Sequence, residues 1–281
     1  MSSATFQPTA SLTVVPTCTQ APTATVSSSP SPTLSPTVTA TPTPQTCWKK
    51  GGKFEPGSLE TELLRYPLDY RVYLPPCYIE QPERSYPVLY LMHGQSFTDD
   101  QWDRLGADET ANALIAAGKI APLIIVLPRD RYGDQPDENK FGQVVIEVLI
   151  PYVDQNYRTL TDRSHRAVGG LSRGAGWAIH LAISNWEYFS ALGAHSPAVF
   201  HNDAQQMRTW LGLIPPEEYP RIYIDVGDHD RPEILDSAQW FERLLNEKDI
   251  PHDWYLFSGY HEEDYWSAHL EKYLLWYSRD W

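Results

Sequence analysis

One serine in the sequence lies in a setting that favours nucleophilic chemistry. Residues 170–174 read Gly-Leu-Ser-Arg-Gly, a G-x-S-x-G pattern that follows a short apolar run and precedes an amphipathic one. A serine hydroxyl is a weak nucleophile, so it must be exposed, held still and placed beside a base. A tight turn from strand to helix meets the first two needs, and the glycines let the two elements approach closely. We therefore expect Ser172 to be a nucleophile; the alternative is an ordinary glycine-rich turn.

A base for this serine, and an acid that orients the base, are expected later in the chain in the order serine, acid, histidine. The last strand-like run is followed by Gly-Tyr-His, which makes His261 the expected base. An earlier run ends in Gly-Asp-His-Asp, where Asp230 is the expected acid and Asp228 the alternative. Asp225 is expected inside that strand in a structural pairing, and His269 on the final helix.

Two backbone N–H groups are expected to hold the negative charge that develops on an attacked carbonyl oxygen. Another apolar run ends in His93-Gly94, a pair that can turn the chain back so that the N–H of Gln95 faces Ser172. The second donor is expected to be the N–H of Arg173, the residue after the nucleophile, at the positive end of a helix. The alternative for His93-Gly94 is a plain turn from strand to loop.

The elements that must position these residues alternate between strand and helix types. Strand-like runs are YRVYLP, YPVLYLMHG, APLIIVLPRD, RAVGGLS, ALGAHSP, RIYIDVGDHD and DWYLFSG. Helical spacing is found in DETANALIAAG, FGQVVIEVLIPYVDQNY, RGAGWAIHLAISN, EILDSAQWFERLLNEKD and YWSAHLEKYLLWYS, and Pro151 is expected to bend or interrupt the second of these. This alternation predicts an α/β fold with a mostly parallel central sheet and helices on both faces. Sites in such sheets form beyond the carboxyl ends of the strands, so Asp130 and Ser196 are also candidates there.

The chain divides by composition into two parts. Residues 1–46 contain no Asp, Glu, Lys or Arg and are mostly Thr, Ser, Pro, Ala and Val, which predicts a disordered, semi-rigid linker. Residues 47–281 have the composition of one globular domain. Stalks of this type are typical of extracellular or cell-surface proteins. No basic and apolar leader segment precedes the linker in this sequence, so export is inferred from the linker and not from a targeting signal.

Charge and hydropathy exclude two classes of partner. The formal net charge of −14 repels phosphate backbones, so we expect no nucleic acid to bind. No apolar run reaches the ~18 residues that a transmembrane helix needs. The sequence carries no signal for the oligomeric state.

Three cysteines are present, and none has the spacing of a zinc site. Cys47 and Cys77 are expected to form a disulfide if the protein is exported; the alternative is two unpaired small hydrophobic side chains. Cys18 lies in the linker, where a lipid-attachment site is a weak alternative. The acidic run after His261 is expected to be a solvated loop, so no metal site is predicted.

Aromatic residues near the expected site suggest how a substrate could be held. Trp102, Trp266 and the loop of residues 130–142 are expected near its mouth. Indole rings there could stack on a sugar or a cinnamoyl group, and they could equally be structural.

Several stretches together resemble the esterase D/feruloyl esterase-like group of α/β-hydrolases. They are YRVYLPPCY, YPVLYLMHGQSFTDDQW, APLIIVLPRD, VGGLSRGAGWA, VGDHD and SGYHEEDYW, and the resemblance covers roughly residues 60–280. It implies an α/β-hydrolase fold with the same triad and oxyanion donors that the strand ends indicate. The family often has a second glycine before the histidine, where this chain has Tyr260, which puts the shape of the pocket rim in doubt.

The mechanism implied by the resemblance is two-step acyl transfer through a serine ester, without a cofactor. The linker favours esters attached to an extracellular polymer, so feruloyl or acetyl esters of plant polysaccharide are the expected substrates. S-formylglutathione or another small ester, and acyl transfer to an alcohol, are the enzymatic alternatives. A catalytically inactive binding module on a stalk is the non-enzymatic one.

Overall fold

The computed structural model describes residues 46–281, which belong to one compact unit. The predicted linker, apart from Thr46, and Cys18 lie outside the described residues. None of the helices in the described part has the length and apolar character that crossing a membrane requires.

The core of the fold is an eight-stranded sheet in the order β1-β2-β4-β3-β5-β6-β7-β8. β1 and β2 run antiparallel to their neighbours, and β3 to β8 are parallel to one another. The mostly parallel sheet predicted from the sequence is therefore present. The strands are β1 Lys53–Leu59, β2 Leu68–Leu74, β3 Val88–Met92, β4 Ile124–Pro128, β5 Arg166–Leu171, β6 Ala191–His195, β7 Arg221–Gly227 and β8 Asp253–Phe257.

Helices cover both faces of this sheet. Alternate residues of β3 enter different core clusters, Val88 and Tyr90 in one and Leu89 and Leu91 in the other. The strand is fully buried because both faces are covered, which explains its continuous apolar run. The α-helices are α1 Gln101–Arg104, α2 Ala107–Ala116, α3 Phe141–Val144, α4 Ile150–Asn156, α5 Arg173–Ser184, α6 His201–Leu213, α7 Pro232–Glu247 and α8 Glu263–Tyr277. Short 3₁₀ turns are Thr46–Lys50, Arg163–His165, Trp186–Tyr188, Pro216–Glu218 and Ser278–Asp280.

Pro151 lies where the helix predicted over α3 and α4 changes its winding. A π-helical turn, Val145–Leu149, separates the two α-helical parts. Proline has no N–H to donate and its ring clashes with the carbonyl of the preceding turn, so a wider turn there accommodates it. The expectation that Pro151 bends or interrupts the helix is met by this interruption.

Three of these helices and strands escaped the sequence analysis: α1, which has only four residues, β1 and α6. β1 is an edge strand, and it contains Pro56 and Gly57, residues that weaken a strand pattern but are tolerated at an edge. α6 buries a narrow stripe made by Asp203, Met207 and Leu211, so its apolar periodicity is weak.

Cys47 and Cys77 form a disulfide, with their Cα atoms 5.0 Å apart. It links the first 3₁₀ turn to the loop after β2 and closes a sequence separation of 30 residues. A cross-link of this span stabilises a fold by roughly 3 kcal/mol, mainly by constraining the unfolded chain.

Candidate active site

Ser172 lies between β5 and α5 with a positive φ of 53°. Positive φ is costly for a residue with a Cβ, by about 1–3 kcal/mol, and is held only where the surroundings enforce it. The close approach of strand and helix does so here. A Cβ at Gly170 would collide with the backbone of Gly174, and a Cβ at Gly174 would collide with the carbonyl of Met92. The glycines are therefore required by backbone contact, as the G-x-S-x-G pattern predicts.

Ser172, His261 and Asp230 lie in line at the carboxyl ends of three strands. Nε2 of His261 is 2.9 Å from Oγ of Ser172. Nδ1 of His261 is 2.8 Å from Oδ1 of Asp230, whose side chain is fully buried. That carboxylate also accepts a hydrogen bond from the N–H of Arg231 at 2.7 Å. Since Nε2 faces a hydroxyl and Nδ1 faces a carboxylate, the tautomer with the proton on Nδ1 leaves Nε2 free to accept the serine proton.

The alternative acid, Asp228, does not approach His261. Its side chain is 38% exposed and is paired with His229 at 2.6 Å. Its Oδ1 also accepts from the N–H of Gly259 at 3.0 Å, and these contacts lower the pKa of this carboxyl. Asp228 therefore holds the turn after β7 to the loop after β8.

Asp225, expected in a structural pairing, belongs to a buried polar cluster beneath the site. Its Oδ1 is 2.6 Å from Nδ1 of His195, and its Oδ2 accepts from the hydroxyls of Tyr265 at 2.6 Å and Tyr273 at 2.8 Å. Burial first, and then the Asp225 charge, raise the pKa of Tyr265 well above its usual range, so this phenol stays a donor. The cluster joins α8 to β6 and β7. The carbonyl of His195 in turn accepts the N–H of Ser172 at 2.8 Å.

His269, set aside as a helix residue, packs away from the triad. Its Nδ1 donates to the carbonyl of Tyr265 at 2.7 Å, and its ring stacks on Phe257 with centroids 4.4 Å apart. It therefore has a structural role in α8.

The peptide between Gly94 and Gln95 is held on its carbonyl side. The Gly94 oxygen accepts from Nδ1 of His93 at 2.8 Å and from the N–H of Phe97 at 3.2 Å. In a trans peptide the next N–H points the opposite way, so these bonds fix the direction of the Gln95 N–H. The N–H of Arg173 lies in the first turn of α5, where backbone N–H groups lack helical acceptors and the dipole is positive.

His93 acts here as a neutral imidazole. Burial lowers its pKa, which favours the uncharged ring. The Nδ1–H group donates a hydrogen bond to the carbonyl of Gly94, and Nε2 accepts one from the N–H of Asp130 at 2.9 Å. The side chain therefore ties the loop after β3 to the loop after β4.

The side chain of Arg173 has a role that sequence reasoning missed. Its Nε is 2.9 Å from Oδ2 of Asp130, and both side chains are almost fully buried. The same oxygen accepts from Nε1 of Trp177 at 2.8 Å. The sequence offered one sign of this pair, namely that Asp130 follows the end of a strand. The pair fixes the loop after β4 against the start of α5.

Trp102 was predicted at the mouth of the site, and that prediction is wrong. Its side chain is 1% exposed, and Nε1 donates to the carbonyl of Met92 at 2.9 Å. The ring contacts that of His195 edge-on at 6.0 Å. Trp102 faces inward from α1, so no substrate ring can stack on it.

Trp266 lies at the site but offers no open face. It is 3% exposed and contacts the ring of His261 at right angles, with centroids 5.0 Å apart. Its Nε1 donates to Oγ of Ser196 at 3.3 Å. Trp266 thus supports the imidazole from the side.

The triad opens into a cleft made of two adjoining cavities. The first has a volume of about 360 Å³ and is lined by Gln95, Phe97, Ser172, Arg231, His261 and Trp266 among others. The second has a volume of about 400 Å³ and is lined by Thr98, Arg129, Asp130, Arg131, Tyr132 and Gly133 among others. Gln95, Phe97 and Arg173 line both. Part of the loop of residues 130–142 therefore lies beside the site, as expected.

The sequence and the fold both have known relatives. A model of the family described as putative esterase matches residues 62–277. An endo-1,4-beta-xylanase/feruloyl esterase of Xylanibacter ruminicola is 31% identical over 181 residues, which is 59% of this chain and 23% of that protein. An esterase of Mycobacterium tuberculosis is 32% identical over 141 residues, 46% of this chain and 29% of that protein. The chain thus spans less than a third of the length of these relatives.

Solved structures show the same fold. A ferulic acid esterase superposes with a TM-score of 0.73 at 24% identity, covering 82% of this chain and 98% of the other. An S-formylglutathione hydrolase from Staphylococcus aureus gives a TM-score of 0.68 at 17% identity, covering 81% and 98%. With the sheet and helices described above, these similarities establish an α/β-hydrolase fold.

Proposed function

We propose that this chain, which belongs to the putative esterase family, hydrolyses carboxylic esters through a Ser172-His261-Asp230 triad. One observation carries the proposal. Oγ of Ser172 lies 2.9 Å from Nε2 of His261 and opens into a cleft, while a buried carboxylate lies behind the imidazole. The three residues come from distant parts of the chain, and their side chains meet at one edge of the sheet.

The first half of the reaction forms a serine ester. Nε2 of His261 takes the proton of Ser172 as Oγ attacks the ester carbonyl. The oxygen that becomes negative is held by the N–H groups of Gln95 and Arg173. The imidazolium then protonates the leaving alcohol, while Asp230 stays ionised and stabilises the charged ring.

The second half hydrolyses that ester. Water enters where the alcohol has left, and Nε2 of His261 takes its proton as the oxygen attacks the acyl carbon. The same two N–H groups hold the second tetrahedral oxyanion. Collapse returns the proton to Ser172 and releases the acid, so the steps balance without a cofactor.

We propose feruloyl or acetyl esters of plant polysaccharide as substrates. Support comes from a relative named as a xylanase/feruloyl esterase and from the second cavity that adjoins the triad, which is lined by Thr98, Arg129 and Tyr132 among others. The lining of the second cavity includes Gln95 and Arg173 but neither Ser172 nor His261, so we place this cavity beyond the oxyanion donors. An acyl group would lie there, because the leaving alcohol must lie against the imidazole that protonates it.

We also propose that residues 1–46 are a linker that holds the esterase domain, residues 47–281, outside the cell or at its surface. The composition of the linker supports this. The disulfide between Cys47 and Cys77 is consistent with an oxidising compartment.

The function is tested by turnover of methyl ferulate, 4-nitrophenyl acetate, acetylated xylan and S-formylglutathione, with Ser172→Ala beside the wild type. Ser184→Ala is a matched control, since Ser184 ends the same helix and its hydroxyl bonds only to the carbonyl of His180 and the amide of Asn185. Turnover of methyl ferulate that is lost in Ser172→Ala alone supports the proposal. Activity on acetyl esters alone indicates a deacetylase, and preference for S-formylglutathione a thioester hydrolase. If wild type and Ser172→Ala are equally inactive on all four substrates, the result contradicts the proposal and favours the alternative of a catalytically inactive binding module.

A further inference from the structure

The amide of Gln101 is fully buried although it carries two polar groups. Its Oε1 accepts the N–H of Gly94 at 2.8 Å. Its Nε2 donates to Oε1 of Glu263 at 3.1 Å. A buried amide whose two ends are satisfied by two different loops fixes the distance between those loops.

Each loop carries part of the proposed site. Gly94 directly precedes Gln95, the expected oxyanion donor of the loop after β3. Glu263 begins α8, two residues after the base His261. The amide of Gln101 therefore bridges the loop of one oxyanion donor and the loop of the base.

The Glu263 end of this bridge is held by an ion pair with an arginine. Arg104, one turn after Gln101, makes two hydrogen bonds to the carboxylate of Glu263, each of 3.0 Å. The same guanidinium contacts Asp100 at 3.3 Å. A bidentate pair fixes the plane of the carboxylate, so Oε1 of Glu263 is presented to Gln101 in one orientation.

The Gly94 end of this bridge decides which N–H group is free in the loop after β3, which we call the oxyanion loop. The Gly94 N–H is occupied by Gln101, whereas the Gly94 carbonyl is occupied by His93 and Phe97. Both peptide planes that flank Gly94 are thus fixed. The Gln95 N–H is the first donor of this loop that can face the cleft.

We propose that Gln101 is a positioning residue that sets the oxyanion loop relative to the loop of His261, with Glu263 and Arg104 as its anchor. The inference rests on the proposed function for its catalytic consequence. Gln101 is fully buried and lines neither cavity of the cleft, so it acts through the direction of the Gln95 N–H.

The variants that test it are Gln101→Leu, Glu263→Met, Glu263→Gln and the double variant Gln101→Leu/Glu263→Met. Glu263→Gln keeps an oxygen that can accept from Gln101. Glu271→Met is the matched control, because Glu271 lies on the same helix and pairs at the surface with Lys119 at 2.8 Å. Thermal unfolding of each variant establishes that it is folded before kinetics are compared.

We expect Gln101→Leu to lower kcat for 4-nitrophenyl acetate roughly tenfold, with KM changed less than about twofold, because a misaimed oxyanion donor weakens only transition-state binding. Glu263→Met should lower kcat less, Glu263→Gln should recover most of that loss, and Glu271→Met should match the wild type. The double variant should be no slower than Gln101→Leu alone. Additive losses, or an unchanged kcat in Gln101→Leu, would overturn the proposal.

Hydrogen exchange tests the coupling without relying on activity. Glu263→Met should increase amide exchange in residues 93–97, although Glu263 lies at the start of α8, and Glu271→Met should not. If exchange there is unchanged in both Gln101→Leu and Glu263→Met, the coupling does not exist. If exchange responds but the wild type hydrolyses no ester, the positioning role stands and the proposed function fails.

Discussion

The hydroxyl of Tyr277 lies directly over Gly169, in the space that a Cβ at residue 169 would occupy. Tyr277 reaches this position from the end of α8, and the same hydroxyl also fills the space above Gly193 in the next strand. It is 3.0 Å from Nε2 of His195, within the buried cluster below Ser172. Gly169, unlike Gly170, is therefore required by a distant tyrosine and not by the turn at the nucleophile.

Gly169→Ala should destabilise the fold by about 3 kcal/mol, because neither the strand nor the buried ring can move away. Tyr277→Phe alone should cost about 1 kcal/mol through the lost hydrogen bond. In the double variant the hydroxyl, which is the nearest obstacle, is gone, and ring carbon Cζ remains 2.7 Å from the methyl position. The clash is therefore relieved in part, and the combined loss should be smaller than the sum. Urea unfolding of the three variants measures this; strict additivity would show that the hydroxyl is not the obstacle.

The two tryptophans of the original substrate-binding hypothesis should respond differently to substitution. Trp102→Phe should lower the free energy of unfolding by about 2 kcal/mol, since it loses buried volume and a hydrogen bond. Its KM for methyl ferulate should stay at the wild-type value. Trp266→Phe should lower kcat/KM roughly tenfold, because the imidazole loses its lateral support. A raised KM in Trp102→Phe with unchanged stability would contradict this account and show that Trp102 contacts the substrate.

Asp108, in the first turn of α2, should make stability depend on pH in an unusual direction. Burial first, and then the neighbouring Glu109, raise its pKa to about 6. The folded state then binds more protons than the unfolded state between the ordinary carboxyl pKa and about 6. This contribution therefore stabilises the fold below that window and is lost as the pH rises through it.

Asp108→Asn removes this loss, and it should stabilise the protein by about 1 kcal/mol at pH 7.5, allowing for partial solvent screening. The gain should be much smaller near pH 3.5, where Asp108 is protonated in the folded state and largely protonated in the unfolded state. Chemical unfolding at the two pH values gives the comparison. If the stability difference between Asp108→Asn and the wild type is the same at both pH values, the effect comes from packing and not from the pKa of Asp108.

The parallel sheet and the strand ends were predictable because buried strands leave continuous apolar runs and their termini mark one edge of the sheet. Ser172, Asp230 and His261 each follow such a run, so the sequence brought them to the same edge. The sequence could not decide which of Asp228 and Asp230 faces His261, because both follow the same strand. The choice depends on the direction of each side chain in the folded structure.

Other features depended on contacts that no local pattern records. The inward direction of Trp102 follows from the way α1 packs, and the same TDDQW stretch is equally compatible with an outward ring. Gln101 stands beside it in sequence, and its partners are Gly94, seven residues before it, and Glu263, 162 residues after it. The need for glycine at residue 169 could not be read from its neighbours, because Tyr277 lies at the far end of the chain.

The central claim, that Ser172 is the nucleophile activated by His261, is tested most directly by locating a covalent adduct. The protein is reacted with a fluorophosphonate ester, digested, and the modified peptide identified by mass spectrometry. The account predicts one adduct on Ser172, absent in Ser172→Ala and formed at least about 100-fold more slowly in His261→Ala. An adduct on another residue, or an equal rate in His261→Ala, would contradict it.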